Sequence, residues 1–306
     1  MNKALNLSYR VLFFMNRKSL LILSTLFLVN LIAWGVVYEM SFCNGMEVVF
    51  FDVGQGDATL IKTPEGHKIL VDGGPGSIIK ERIAKEIPFW ERRIDLIILS
   101  HAHSDHLEGL IEVIDSYDVN WVIWNGVSED DLLNQKWIDS ISQIETTIAQ
   151  GGQRIKGKSF YIDILYPLNR IEEASDLNET SIIARLVSNQ GKFLFTGDTY
   201  AMNEKELVEM VDSCTQELKP SNVCRVMNLK SDVLKVAHHG SKTSTSREFL
   251  EAVSPTIAVI SSGKGNSYGH PHKETLEILS DYGIEILRTD TEGNIKIVSD
   301  GLTFNQ

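Results

Sequence analysis

Cysteine is scarce in this sequence. Cys43, Cys214 and Cys224 are the only three in 306 residues, and no two stand in a CxxC pair. That spacing excludes a zinc knuckle. Cys214 and Cys224 can close a short loop as a disulfide if they lie outside the cytoplasm, and otherwise are two separate thiols. Positive charge is also short. Twenty-nine Lys and Arg face 41 Asp and Glu, for a net charge of -12. This excludes nucleic-acid binding through a broad basic surface, though not an enzyme whose metals and a local basic patch meet the phosphates. Low-complexity tracts and repeats of solenoid period are absent too. What remains is a globular composition, 43% hydrophobic and 23% charged, with material for one large domain or two smaller ones.

One long apolar run is present. "SLLILSTLFLVNLIAWGVVY", Ser19 to Tyr38, holds 20 residues without a formal charge. As a helix it spans roughly 30 Å, the thickness of a bilayer core. Arg17 and Lys18 precede it, and Trp34 and Tyr38 lie near its far end. A cleaved signal peptide has a shorter apolar region and a small-x-small site, whereas this run continues into "EMSFCNG". The sequence therefore predicts an uncleaved single-pass anchor over 19–38, a short cytoplasmic N-terminus over 1–18, and a domain over 46–306. Residues 1–45 carry a net +3 and the remainder -15. The positive-inside rule then places the domain outside the cytoplasm.

Beyond residue 45 short β-type runs come first: "MEVVFFDVG", "DATLIKT" and "KILVDGG", with Pro64-Glu65-Gly66 as a turn. "IDLIILS" and "VNWVIW" read as strands, separated by a helix over Leu107–Tyr117, and Glu129 to Ile144 reads as helical. "TSIIARLVS" and "KFLFTGD" flank a hairpin turn at Asn189-Gln190-Gly191. "DVLKVAHHG", "TIAVISSG", "IEILRT" and "NIKIVSD" are later strands, with helices at Ser246–Val253 and Lys273–Tyr282. Two halves that each supply strands and helices predict two sheets packed face to face with helices outside.

"LSHAHSDHLEG" places His101, His103, Asp105 and His106 directly after the apolar strand "LIIL". On an extended segment His101, His103 and Asp105 project to one side, and His106 turns back toward the same pocket. Imidazole and carboxylate suit zinc, manganese or iron. Asp198 in "FLFTGD" is a candidate bridging anion for two ions. His238 and His239 in "KVAHHGS", and His270 and His272 in "YGHPH", repeat the placement. Seven of the eight histidines thus fall just past a predicted strand, and His67 alone reads as surface.

These motifs resemble the metallo-β-lactamase fold superfamily, and in particular the metallo-β-lactamase-like domain of ComEC-type DNA-uptake competence proteins. The resemblance rests on "FFDVGQGDATLI", "ILVDGG", "LSHAHSDHLEG", "NETSIIARL", "FLFTGD", "VLKVAHHGSKTSTS" and "YGHPH", in that order, over most of residues 46–300. It implies an α+β fold, a four-layer αββα sandwich. It also implies two divalent ions, zinc or manganese, held by His101, His103, Asp105, His106, Asp198 and one histidine of the His238-His239 pair, His239 being favoured. Many superfamily members carry a further metal-binding histidine before the Gly-Asp, but no histidine occurs here between His106 and His238. "NETS", Asn178 to Ser181, stands in that region. ComEC-type proteins are polytopic, whereas this sequence holds one candidate span.

The expected chemistry is hydrolysis by a water whose pKa the metals lower. Asp105 would orient that water, and His239 and His270 would move protons at the leaving group. His238, Ser241, Lys242, Asn178, Ser181 and His272 are candidate substrate-binding residues. Ser244 or Thr245 is alternatively a cap for the helix that follows. Three functions are compatible with this set. The first is a phosphodiesterase or nuclease acting on DNA. The second is a hydrolase of a small ester, lactone or phosphocholine-type substrate. The third is a non-catalytic binding module.

Overall fold

A computed structural model describes residues 17–40, 45–172, 174–189, 191–216, 221, 223–299 and 304–305. Cys43, Gln190 of the expected hairpin, and residues 1–16 of the expected cytoplasmic segment lie outside the described residues. The chain forms two compact units, Met1–Cys43 and Asn44–Gln306. The first contains helix α1 (Arg17–Met40), long and apolar enough to cross a membrane. Over residues 17–37 its side chains are exposed all round, as Leu21 and Phe27 at 67% illustrate. That pattern fits a helix whose surroundings are apolar on every side.

The second unit is built on two sheets. The first runs β17 (Phe304–Asn305), β16 (Ile295–Ser299), β1 (Met46–Phe50), β2 (Ala58–Lys62), β3 (Lys68–Gly73), β5 (Leu96–Leu99), β7 (Trp121–Trp124), β8 (Glu145–Ile148). The second runs β15 (Glu285–Arg288), β14 (Ile257–Ile260), β13 (Val233–Lys235), β12 (Gly191–Phe195), β11 (Ile183–Ser188), β10 (Phe160–Tyr166), β9 (Arg154–Lys156). Each sheet joins an antiparallel meander to parallel strands: β3, β5, β7 and β8 in one, β12 to β15 in the other. A two-residue ladder pairs β4 (Arg93–Ile94) with β6 (Asp118–Val119).

Three apolar layers explain why the strands read as continuous hydrophobic runs. Alternate residues of both sheets, such as Val48, Phe50, Ile98, Phe193, Phe195 and Val259, fill the layer between them. Their neighbours Val49, Leu70, Ile97 and Leu99 point the other way, onto α2 (Ile78–Glu86), α3 (Ser104–Ile114) and α4 (Leu132–Ile141). Leu194, Leu234 and Ile260 face α5 (Ala201–Gln216), α6 (Arg247–Val253) and α7 (Lys273–Asp281). Strands buried on both faces show no polar alternation. The result is the αββα sandwich. Cys214 near the end of α5 and Cys224 form a disulfide, with Cα atoms 5.1 Å apart.

Helix boundaries differ from the sequence reading where caps intervene. The helix expected from Glu129 starts at Leu132, because the Asp131 side chain accepts from Asn134 N. Ser246, not Ser244 or Thr245, caps α6 by accepting from Phe249 N. Ser244 instead donates to Thr199 O, and Thr245 N donates to buried Glu204. The helix expected from Leu107 begins three residues earlier, at Ser104 with His103 as N-cap. Asp105 and His106 therefore sit on a first helical turn and not on an extended strand end. Gly73 and Gly109 bring this helix against β3. A Cβ on Gly109 would lie 2.0 Å from Gly73 O, so only glycine permits the approach.

Candidate metal centre

The carboxyl ends of the central strands meet at one edge of the sandwich. β5 leads to His101 and His103, and α3 presents Asp105 and His106. β12 leads to Asp198, and β13 to His239. The donor atoms of Asp105, His106, Asp198 and His239 lie within 4.8 Å of one another. His106 Nε2 is 3.3 Å from Asp198 Oδ1, and His239 Nε2 is 3.4 Å from Asp198 Oδ2 and 3.1 Å from Asp105 Oδ2.

The backbone settles which of the two late histidines turns inward. His238 and His239 both have positive φ, 51° and 54°. Such residues cost roughly 1–2 kcal/mol each. Both Nε2 atoms face Asp198 Oδ2, His239 at 3.4 Å and His238 at 4.0 Å. His239 is 2% exposed and reaches the carboxylates. His238 stays half-buried, with Nδ1 3.3 Å from Thr243 Oγ1 and its ring 5.5 Å from Tyr200.

A second layer of groups fixes the ring orientations. Asp72 Oδ2 lies 2.9 Å from His106 Nδ1, which leaves Nε2 to face Asp198. Asp72 in turn accepts from Ser100 N and Ser100 Oγ at 2.7 and 2.8 Å. His239 Nδ1 is 2.9 Å from Ser261 O, so its Nε2 faces the carboxylates. Beneath them Asp57 and Lys235 form a buried ion pair, and Asp57 is 3.3 Å from His239 Nδ1. Partners of this kind hold metal-ligating histidines in one tautomer.

Electrostatics agree with a cation site. Burial disfavours the Asp198 carboxylate, but His239 and His106 overcome it and hold the group well below the usual range. Burial also opposes charging His106 and His239, yet Asp198, with Asp72 and Asp105 around the first, pushes both well above an ordinary imidazole. The set thus demands positive charge at its centre, which a divalent ion meets. The fit is supported by two buried atoms, His106 Nε2 and Asp198 Oδ1, that have no hydrogen-bond partner and face each other. An ion ligated at about 2.0–2.2 Å gives such atoms a partner.

His101 and His103 stand next to this group. Their Nε2 and Nδ1 atoms are 3.1 Å apart, and the His101 ring is 4.2 Å from that of His106. Burial, then the neighbouring His106, keeps His101 neutral, well below its usual range. A neutral imidazole is the form that ligates metal. In the stretch that lacks a histidine, the buried Asn178 donates from Nδ2 to Tyr200 OH, and its Oδ1 has no partner.

Above the centre opens a cleft of about 370 Å³. Asn178, His238, His270, Tyr268, Glu129 and Asp131 line it together with His103, Asp105, Asp198 and His239. Other expected substrate residues lie elsewhere. Ser181 is buried, and its Oγ accepts from Asp198 N, which positions that carboxylate. Ser241 is buried against Thr243, and Lys242 is exposed away from the lining. His272 stands at the N-cap position of α7, and its ring Nδ1 accepts from Lys242 N rather than from the helix. His270 is at the rim, but burial, then His239 and His238, lower its pKa to about 4.

Asp57, Asp72, Lys235, Ser261 and Tyr200 were not singled out from the sequence. Asp72 had a signal: "VDGG" sets an aspartate beside glycines at a strand end, as "TGD" sets Asp198 beside Gly197.

Residues 51–127 match the Metallo-beta-lactamase superfamily model. ComE operon protein 3 of Bacillus subtilis (strain 168) is 28% identical over 269 residues, covering 82% of this chain and 32% of that protein. Competence protein ComA of Neisseria gonorrhoeae is 31% identical over 254 residues, covering 83% and 32%. The chain thus spans about a third of the length of these relatives. Among solved structures, the metallo-beta-lactamase fold protein YhfI from Bacillus subtilis superposes with a TM-score of 0.51 at 11% identity, over 82% of this chain and 98% of that one. By fold and by its histidine–aspartate centre the chain is similar to the metallo-beta-lactamase superfamily, whose model residues 51–127 match, and to about a third of ComE operon protein 3 and of Competence protein ComA.

Proposed function

We propose that the chain is a membrane-anchored, metal-dependent phosphodiesterase that acts on DNA outside the cytoplasmic membrane. The observation that carries this reading is the convergence of Asp105, His106, Asp198 and His239 at the floor of an open cleft. His101 and His103 beside them offer ligands for a second ion. Zinc or manganese ions, when bound, lower the pKa of water toward neutrality and neutralise charge on phosphate oxygens. Asp198, whose two oxygens face His106 and His239, would supply carboxylate ligands to the ions. Asp105 is on the cleft side, where a carboxylate oxygen can accept a hydrogen bond from the attacking water and orient it. Asn178 offers an unpartnered amide oxygen, and neutral His270 a ring nitrogen, to hydroxyl groups of a substrate. The resemblance to DNA-uptake competence proteins points to DNA. Helix α1 supports anchoring, and a disulfide supports an oxidising compartment.

One observation favours the second reading, a small ester or phosphocholine-type substrate. Among the described residues the cleft is lined by Glu129 and Asp131 and by no lysine or arginine. The metals alone would then offset a polyanion's charge. The test is turnover by the metal-loaded chain of single-stranded DNA, bis-p-nitrophenyl phosphate and a phosphocholine ester. The proposal expects DNA to be degraded. Turnover of the small esters alone would overturn it.

A further inference from the structure

The end of the sandwich opposite the metal centre carries two exposed aromatic side chains on one turn. Phe89 is 81% exposed and Trp90 53%. Their rings pack edge to face, with centroids 4.9 Å apart. The turn is closed by Glu91 N donating to Pro88 O. Single exposed apolar residues are ordinary on a soluble surface, whereas a packed Phe-Trp pair on a protruding turn suits the bilayer interface.

The same end receives the chain from its N-terminal side. Glu86, three residues before Phe89, ion-pairs with Lys62 and Lys296 at 3.1 and 2.7 Å. Both lysines also reach Glu47, the second residue of β1. Six residue steps separate Met40, the end of α1, from Met46, the start of β1. Fully extended they span only about 20 Å. β1 and β5 run from here toward the metal ligands, so the cleft is at the far end of the strands.

We propose that the Phe89–Trp90 turn inserts into the lipid surface. This rests on reading α1 as a membrane span. The domain's charge of -15 gives no attraction to anionic lipid, so contact depends on the aromatic pair and neutral lipid suffices.

The test is tryptophan quenching by bromine-labelled lipid, with the full chain reconstituted in phosphatidylcholine vesicles. Trp34 reports on α1 and Trp90 on the turn. The variants are Trp34→Phe, Trp90→Phe and Phe89→Ser. The proposal expects Trp90→Phe to remove at least a third of the quenched emission, and Phe89→Ser to lower the Trp90 contribution at least twofold. Quenching unchanged by Trp90→Phe overturns the proposal. If Trp34→Phe alone has no effect, the span reading fails while lipid contact by the turn stands on its own signal. Both turn positions are exposed, and near-ultraviolet circular dichroism confirms that the variants fold.

Discussion

Replacing Asp72 by asparagine isolates the link between the metal centre and the layer beneath it. Asp72 touches no cleft atom. It accepts from Ser100 N and Ser100 Oγ, and faces His106 Nδ1 at 2.9 Å. Asparagine keeps one acceptor for Ser100 N but presents an amide donor where Oδ2 stood. His106 then gains by carrying its proton on Nε2 and accepting at Nδ1, and the proton occupies the lone pair that faces Asp198. Loss of such an orienting carboxylate weakens metal affinity by roughly 10–100-fold, or about 1.4–2.7 kcal/mol. The wrong tautomer puts the expectation at the upper end of that range. Competition against a chromophoric chelator, with zinc and with manganese, measures it, and thermal unfolding with chelator present shows that the fold survives. Affinity within twofold of the parent would refute the assignment of His106 Nε2 as a ligand held by Asp72.

His239→Ala should abolish metal binding at this position, whereas His238→Ala should leave it within a fewfold; equal losses would mean that the turn geometry is wrong. Metal binding should release protons at neutral pH, because His106 and His239 titrate well above the ordinary range in the free protein and ligate only when neutral. Affinity should therefore rise with pH until the raised pKa values of the free site are passed, and calorimetry in buffers of different ionisation enthalpy that finds no proton release contradicts this. Gly109→Ala must displace Gly73 O or α3 at a cost of about 1–3 kcal/mol, seen as a Tm several degrees lower; an unchanged Tm contradicts the close approach. Thiol titration of the unfolded, unreduced chain should find one thiol, Cys43, and three after reduction; three before reduction rules out the Cys214–Cys224 bond.

The two sheets were legible because strands buried on both faces read as uninterrupted runs, as "LIIL" does. β9, β10 and α5 were not singled out. "RIK" is too short to carry a period, and "ELVEMVDSCTQ" mixes its charges with few large apolar residues. The candidate ligands announced themselves because histidines are rare and fell after strands. The supporting layer did not, since Asp57, Asp72 and Lys235 act through distant partners that no local pattern reveals. Asp72 needs His106, 34 residues on, and Lys235 needs Asp57 across the sheets. The choice between His238 and His239 lay in two positive φ angles, which sequence does not show for non-glycine residues.

Anomalous X-ray diffraction from crystals of the metal-loaded protein, recorded at the absorption edge of the bound ion, tests the central claim most directly. The account predicts an anomalous peak ligated by Asp105, His106, Asp198 and His239, with His101 and His103 bordering a second. A peak held by other residues, or none at this strand edge in metal-replete crystals, would contradict it.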